Sequence, residues 1–223
     1  NTYINSVIIA NTTTYIGNYA FANSSSIMAI TLPEGIEHIG HHAFENTGLS
    51  SLRIPGCVTT IDSCAFYECG KLVTVAIDNA TCSIGEAAFM GCSSLKSIDL
   101  GNSITAINKS AFALCTALEA IVIPNSVSNI GNFAFSHCDT LTSATFGNSL
   151  ISIGDYAFSN CRNLTKIVIP NSTLTIGNWA FGYCDMLDSA VVGISVKSIG
   201  DGAFGECNML DSVVLLGHSL KHI

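Results

Sequence analysis

Cysteine is the residue type here with the most chemistry to offer. Seven of the ten, Cys69, Cys92, Cys115, Cys138, Cys161, Cys184 and Cys207, recur every 23 residues. A zinc site needs close pairs of the C-x-x-C kind, and this spacing makes a column instead. Parallel Cβ vectors along such a column are poor disulfide geometry. Reduced thiols serving as small buried hydrophobes are therefore expected. Cys57, Cys64 and Cys82 stand off the column, and a disulfide among them is left open. His38, His41 and His42, with Glu34 and Glu37 nearby, form the densest set of possible metal ligands. Polar residues of a surface turn explain them more simply, and no metal is expected.

Two motif matches are accidents of context. Gly200-x-Gly202-x-x-Gly205 fits the dinucleotide fingerprint but has no strand-to-long-helix setting. Leu32-Pro-Glu-Gly35 resembles part of a sortase-type signal but lacks its threonine and a following apolar run, and reads as a strand end. Asn-x-Ser/Thr acceptors at Asn11, Asn23, Asn79, Asn108, Asn163 and Asn171 arise by chance in a chain this rich in Asn, Ser and Thr. They would matter only in a eukaryotic secretory pathway. No Ser/His/Asp or carboxylate grouping recurs on one face, so an enzyme is not expected, and no cofactor.

The elements that position these residues are repeats. An Ala-Phe pair occurs at Ala20-Phe21, Ala43-Phe44, Ala65-Phe66, Ala88-Phe89, Ala111-Phe112, Ala134-Phe135, Ala157-Phe158, Ala180-Phe181 and Ala203-Phe204, with every step 23 residues except one of 22. A fixed period of this size is the mark of a solenoid. Within one rung, Cys161-x-x-Leu164-x-x-Ile167-x-Ile169-Pro170, apolar residues alternate with Lys166 and Val168, which predicts one short parallel strand per rung. Inward pairs run from Ile30/Leu32 to Val213/Leu215. Pro33, Pro55, Pro124 and Pro170, or Asp78, Gly101, Gly147 and Gly193, then end the strand.

A glycine follows the next isoleucine at Gly17, Gly40, Gly85, Gly131, Gly154, Gly177 and Gly200, with Asp62 and Asn108 as exceptions. Asp and Asn tolerate positive φ best among the other residues, so a left-handed backbone is expected at this site in every rung. A single helical or 3₁₀ turn is expected through Ala-Phe to Cys, turning Phe and Cys inward. The nine Phe should stack as a ladder.

Composition agrees with a stack. The 223 residues are 48% hydrophobic and only 11% charged, and the net charge is −8 with 8 scattered basic residues. Nucleic acid and anionic membrane surfaces call for clustered Lys and Arg. No apolar run of about 18 residues predicts a membrane span. Residues 1–10 do not read as a signal peptide. The abrupt start, with a strand already at Tyr3–Ile9, and the end at Ile223 predict one array, residues 1–223, cut from a longer protein, because terminal rungs normally carry polar caps.

These residues resemble the BspA-like leucine-rich repeats, whose order is met in Pro124-Asn-Ser-Val-Ser-Asn-Ile-Gly-Asn-Phe-Ala-Phe-Ser-His-Cys-Asp-Thr-Leu141. The likeness extends over residues 4–223 in nine registers. Departures are Ser24 and Thr47 in place of Cys, the 22-residue step, and one extra residue near Leu215-Leu216. The resemblance implies an α/β leucine-rich-repeat array, a right-handed curved solenoid. It also implies a surface-exposed or secreted protein of mucosal bacteria or some protists, adhering to host matrix or to neighbouring cells. No catalytic residue carries over.

Two surfaces are candidates for a protein or glycan ligand. The outward sheet rows include Ser97, Asp99, Val122, Ser143, Thr145, Lys166, Val168, Ser189 and Val191, a smooth and nearly neutral face. The position two before Phe reads Tyr19, His42, Cys64, Ala87, Ser110, Phe133, Tyr156, Trp179, Gly202. Its Phe133, Tyr156 and Trp179 form an aromatic patch on three adjacent rungs, of the kind enriched at interfaces. The alternative to a binding module is a passive stalk holding another domain away from the cell.

Overall fold

The computed structural model describes residues 7–80 and 82–217. Residues Tyr3 to Ser6 of the expected first strand lie outside this range, as does Ile223. Within it the chain is a parallel β-solenoid of about nine coils, each near 23 residues. The long-strand face carries Val7–Ile8, Ile30–Thr31, Ser51–Ile54, Thr74–Ile77, Ser97–Asp99, Ala120–Ile123, Ser143–Phe146, Lys166–Ile169, Ser189–Val192 and Ser212–Leu215. Within three ladders, Val7–Ile8 with Ile30–Thr31, Ser51–Ile54 through Ser97–Asp99, and Ala120–Ile123 through Ser212–Leu215, pairing is parallel and in register with the repeat, as in Ile167↔Ala190 and Ile169↔Val192. Alternate residues are buried and exposed along these strands, as period 2 requires. At the last of them Val213 and Leu215 remain 40% and 38% exposed, because no further described coil covers them.

Every rung but the one at Ile84, where a single bridge stands instead, has a second strand that the sequence reading missed. Two-residue segments such as Asn129–Ile130, Ser152–Ile153, Thr175–Ile176 and Ser198–Ile199 pair in parallel along another face. They are too short to show alternation, so periodicity has nothing to detect in them.

The expected helical turns are absent among the described residues. Around Phe135 the amides of Phe133, Phe135 and His137 donate to Asp155, Ala157 and Ser159 of the next coil, while those of Ala134, Ser136 and Cys138 bond back within their own coil. A helix would commit every amide to its own segment. Here half of them stitch neighbouring coils together, and left-handed residues make that possible. Positive φ occurs two before and two after Phe, as at Phe133 (59°) and His137 (59°) or Tyr156 (56°) and Asn160 (61°).

The glycine after isoleucine is therefore not the left-handed site. Among the positive-φ residues are neither Gly154, Gly177 and Gly200 nor Asp62 and Asn108. It is glycine because the coil beneath passes too close for a Cβ. A methyl group on Gly177 would sit 2.5 Å from the Asp155 amide nitrogen, and one on Gly200 2.5 Å from that of Asn178. The two rungs without glycine are irregular ones. Asp62 follows the 22-residue step, and Asn108 follows the rung where the second ladder narrows to a single bridge at Ile84.

Inside the tube the phenylalanines form the expected ladder. Successive rings from Phe21 to Phe204 stack with centroids 5.0–5.4 Å apart and planes within 14°. The seven from Phe44 to Phe181 are fully buried. Asparagine has its own ladder. Oδ1 of Asn132 accepts the Asp155 amide at 2.9 Å, Asp155 accepts Asn178 at 2.7 Å, and Asn178 accepts Asp201 at 2.8 Å. The Asn content is thus structural in part, because a short side-chain carbonyl completes coil-to-coil hydrogen bonding where the backbone turns.

Candidate binding surfaces

The cysteine column is interior architecture. Cys115, Cys138, Cys161 and Cys184 are fully buried and unpaired, and each thiol donates to the carbonyl of the Phe in the preceding coil, for example Cys161 to Phe135 at 3.2 Å. That carbonyl already accepts the Cys138 amide, so the thiol fills its second lone pair. The sequence reading of cysteine as a mere hydrophobe missed this donor. Cys57, Cys64 and Cys82 are also free.

Burial pushes the Cys115 thiol from 9.0 up to about 12 and that of Cys82 up to about 11, and it raises Cys92 and Cys138 as well. A raised folded-state pKa means the folded chain keeps protons that the unfolded chain sheds. The stability from these thiols is complete below about pH 9 and is lost as pH climbs toward 12. Thermal melts should therefore be flat from pH 7 to 8.5 and fall steadily by pH 11. In the native protein at pH 8, iodoacetamide should label exposed Cys57 long before the fully buried Cys92, Cys115, Cys138, Cys161 and Cys184, as read by peptide mass spectrometry. Labelling of those five at the rate of Cys57 would contradict the buried ladder.

The three histidines pack among aromatic rings, with His41 and His42 edge to face at 4.0 Å and both against Tyr19. His38 stacks on Tyr15 with centroids 4.7 Å apart, and His41 Nδ1 lies 2.7 Å from Ser63 Oγ. His42 lies face to face with Tyr19, its Nδ1 2.8 Å from Glu45 Oε2 but without aligned hydrogen-bond geometry. Among the described residues no three His, Cys, Asp or Glu side chains converge as a metal site would need.

On the long-strand face the candidate side chains Ser97, Asp99, Val122, Ser143, Thr145, Lys166 and Val168 point to solvent, while Ser189 and Val191 are half-buried. Of its charged residues, Arg53 is held between Glu34 and Asp78, and Asp99 accepts the Gly101 amide at 2.9 Å. Lys166 takes part in no ion pair among the described residues.

Beside Lys166 the sheet opens. Neighbouring strand pairs register over four residues, whereas Ser143–Phe146 and Lys166–Ile169 register only at Ser143↔Lys166. The Thr165 amide reaches Thr142 at 3.4 Å, against 2.9 Å for the equivalent bonds on either side. The inward residues explain the opening. Ala144 stands where adjacent rungs have Ile121 and Ile167, and Phe146 stands where they have Ile123 and Ile169. The Phe146 ring stands edge-on against Phe158 at 5.6 Å, a bulk that the adjacent rungs lack. The result is a recess of about 350 Å³ lined by Ser143, Ala144, Thr145, Phe146, Asn148, Lys166, Val168 and Pro170. It gathers four of the nine candidate face residues, and nothing in the strand pattern alone marks it.

The aromatic patch divides in two. Phe133 and Tyr156 stack with centroids 4.9 Å apart and planes 1° from parallel. The ring partner of Trp179 is Tyr183, at 5.4 Å, and its indole reaches over the next coil to cover Gly202 and Gly205. Those two glycines of the apparent dinucleotide motif are thus the seat of a tryptophan ring.

Comparison with known proteins agrees with this architecture. No curated protein matches the chain. Among solved structures, the Treponema pallidum leucine-rich repeat protein is 29% identical, with 78% of this chain and 72% of that one covered and a TM-score of 0.58. A leucine-rich repeat protein of Bacteroides ovatus is 25% identical over 96% of this chain and 67% of that one, with a TM-score of 0.53. A leucine rich cell surface protein of Faecalibacterium prausnitzii shares the fold at 24% identity, covering 95% and 79%, with a TM-score of 0.54. The BspA type leucine rich repeat region, in six copies, matches residues 1–119 and 105–223. With coils, Phe ladder and Cys column all in that register, the chain belongs to the BspA-type leucine-rich-repeat family.

Proposed function

We propose that this chain is a non-enzymatic recognition module, carried on a cell surface or secreted, whose long-strand face binds a protein or glycan of another cell or of extracellular matrix. The observation that carries the reading is the recess at Ser143–Pro170, with Lys166 beside it free to meet a carboxylate or hydroxyl and with exposed Val168 as an apolar contact. A rigid repeat array presents such a face without reorganising, which keeps the cost of binding low. Its family is one of scaffolds that generally mediate protein interactions, and surface display is frequent in it. The row from Ser97 and Asp99 through Val122 to Ser189 and Val191 extends the contact, and the aromatic residues Phe133, Tyr156 and Trp179 are a second candidate patch.

The test is capture on immobilised matrix proteins and cell-surface glycans, using the chain and its variants Ser143→Glu and Lys166→Glu. Both side chains are exposed, so circular dichroism should be unchanged. Binding to the cognate ligand should weaken about tenfold or more, equivalent to roughly 1.4 kcal/mol. A passive stalk would be indifferent to both substitutions, and that result would remove the proposal.

A further inference from the structure

We infer that a second site, on the turn face, accepts one uncharged aromatic side chain of a partner protein. It is a recess of about 340 Å³ at the level of Ser110 and Ala113, between Met90 of the coil before and Phe133 of the coil after. Ala113 is buried beneath it, while Phe133 and Leu114 at its rim are 38% and 41% exposed. One face of the Phe133 ring is covered by Tyr156 at 4.9 Å. The other side borders the recess.

The molecule itself shows what such a seat takes. Gly202 and Gly205 occupy in the last coil the positions that Ser110 and Ala113 hold here, and Trp179 from the preceding coil lies over them. The counterpart of Trp179 for the Ser110 coil is Ala87, which has no ring to offer. The seat is built and its internal occupant is missing. A ring entering at the Ser110 level would extend the Phe133–Tyr156 stack by one place, at the 5.0–5.4 Å spacing of the interior ladder. On its other side it would meet the Met90 side chain, whose sulfur favours aromatic neighbours.

Charge and hydrogen bonding select among rings. No charged side chain lines the recess, and the chain carries a net charge of −8, so an anionic ring is disfavoured and a neutral one is matched. A pyranose needs several hydroxyl partners, whereas Ser110 and His137 are the accessible polar side chains and Ser136 is buried. A phenyl or phenol ring is satisfied by stacking alone. This site stands apart from the long-strand recess and does not require it.

The test is an NMR titration with N-acetyl-L-tyrosinamide as probe and N-acetyl-L-leucinamide and methyl β-D-galactopyranoside as comparisons. Ring-current upfield shifts should appear at the methyl groups of Met90 and Ala113 with the tyrosine probe only. Ser110→Tyr should abolish them by supplying the missing ring. That variant should fold, since Phe133 and Tyr156 hold the equivalent position at the same positive φ as Ser110 (56°). Phe133→Ala should weaken the response about fivefold, and Ser143→Glu on the other face should leave it unchanged. No shift at millimolar probe, an equal response to the leucine or sugar probe, or binding retained in Ser110→Tyr would each overturn the inference.

Discussion

Phe135→Ala is expected to cost about 3–5 kcal/mol and to lower the thermal midpoint by roughly 10 °C, measured by circular dichroism. The ring is fully buried, with Phe112 stacked at 5.2 Å on one side and Phe158 at 5.0 Å on the other, so its removal leaves two ring faces without partners. The loss should be local. A repeat array is held by nearest-neighbour contacts, so amide exchange should accelerate most in the coils bearing Phe112, Phe135 and Phe158 and least near Phe44. The same substitution at Phe21, which is only half-buried and stacks on one side, should cost clearly less. Equal losses at both positions would contradict a stack in which each ring is supported from two sides.

Gly177→Ala separates two explanations for one residue. Had glycine been chosen for a left-handed backbone, alanine would be penalised by φ. At negative φ without crowding, alanine would instead stabilise by about 0.4–1 kcal/mol through the unfolded chain. The structure gives a third answer, because the new methyl would lie 2.5 Å from the Asp155 nitrogen and from the Gly154 carbonyl carbon, both of them backbone atoms that cannot rotate away. The coils must part, and a loss of roughly 1–3 kcal/mol is expected from overpacking. Coil separation should also weaken the neighbouring hydrogen bonds from Gly177 to Ile153 (2.8 Å) and from Asn178 to Asp155 (2.7 Å). Amide exchange at Gly177 and Asn178 reads this directly. An alanine variant at least as stable as the parent would show that the coils have room to spare at this point.

The legible features are those that repeat. The Phe ladder, the alternating strands and the inward cysteines follow from the period, since a residue that recurs every 23 positions must meet its own copy in the next coil. The second strand was not legible because two residues, such as Ser152–Ile153, cannot display a period. Glycine misled because one residue type serves two needs, positive φ and close approach, and only the coil beneath distinguishes them. The left-handed turns at Phe133 and Tyr156 ran against residue preference, because bulky aromatic residues rarely adopt positive φ. Their cost is offset by amides that reach the adjacent coil.

The candidate surfaces divide in the same way. Ser143, Thr145, Lys166 and Val168 were readable as outward residues of a strand, yet the recess between them depends on Phe146 and Ala144 meeting different neighbours above and below. The vacant seat beside Phe133 likewise depends on where Trp179 turns. The sequence by itself determined the coil, its interior column and its family, because these are properties of the repeat unit that every copy enforces. Tertiary structure alone decided where the surface opens, because an opening is a mismatch between successive copies, and a mismatch has no physical meaning until the coils are stacked.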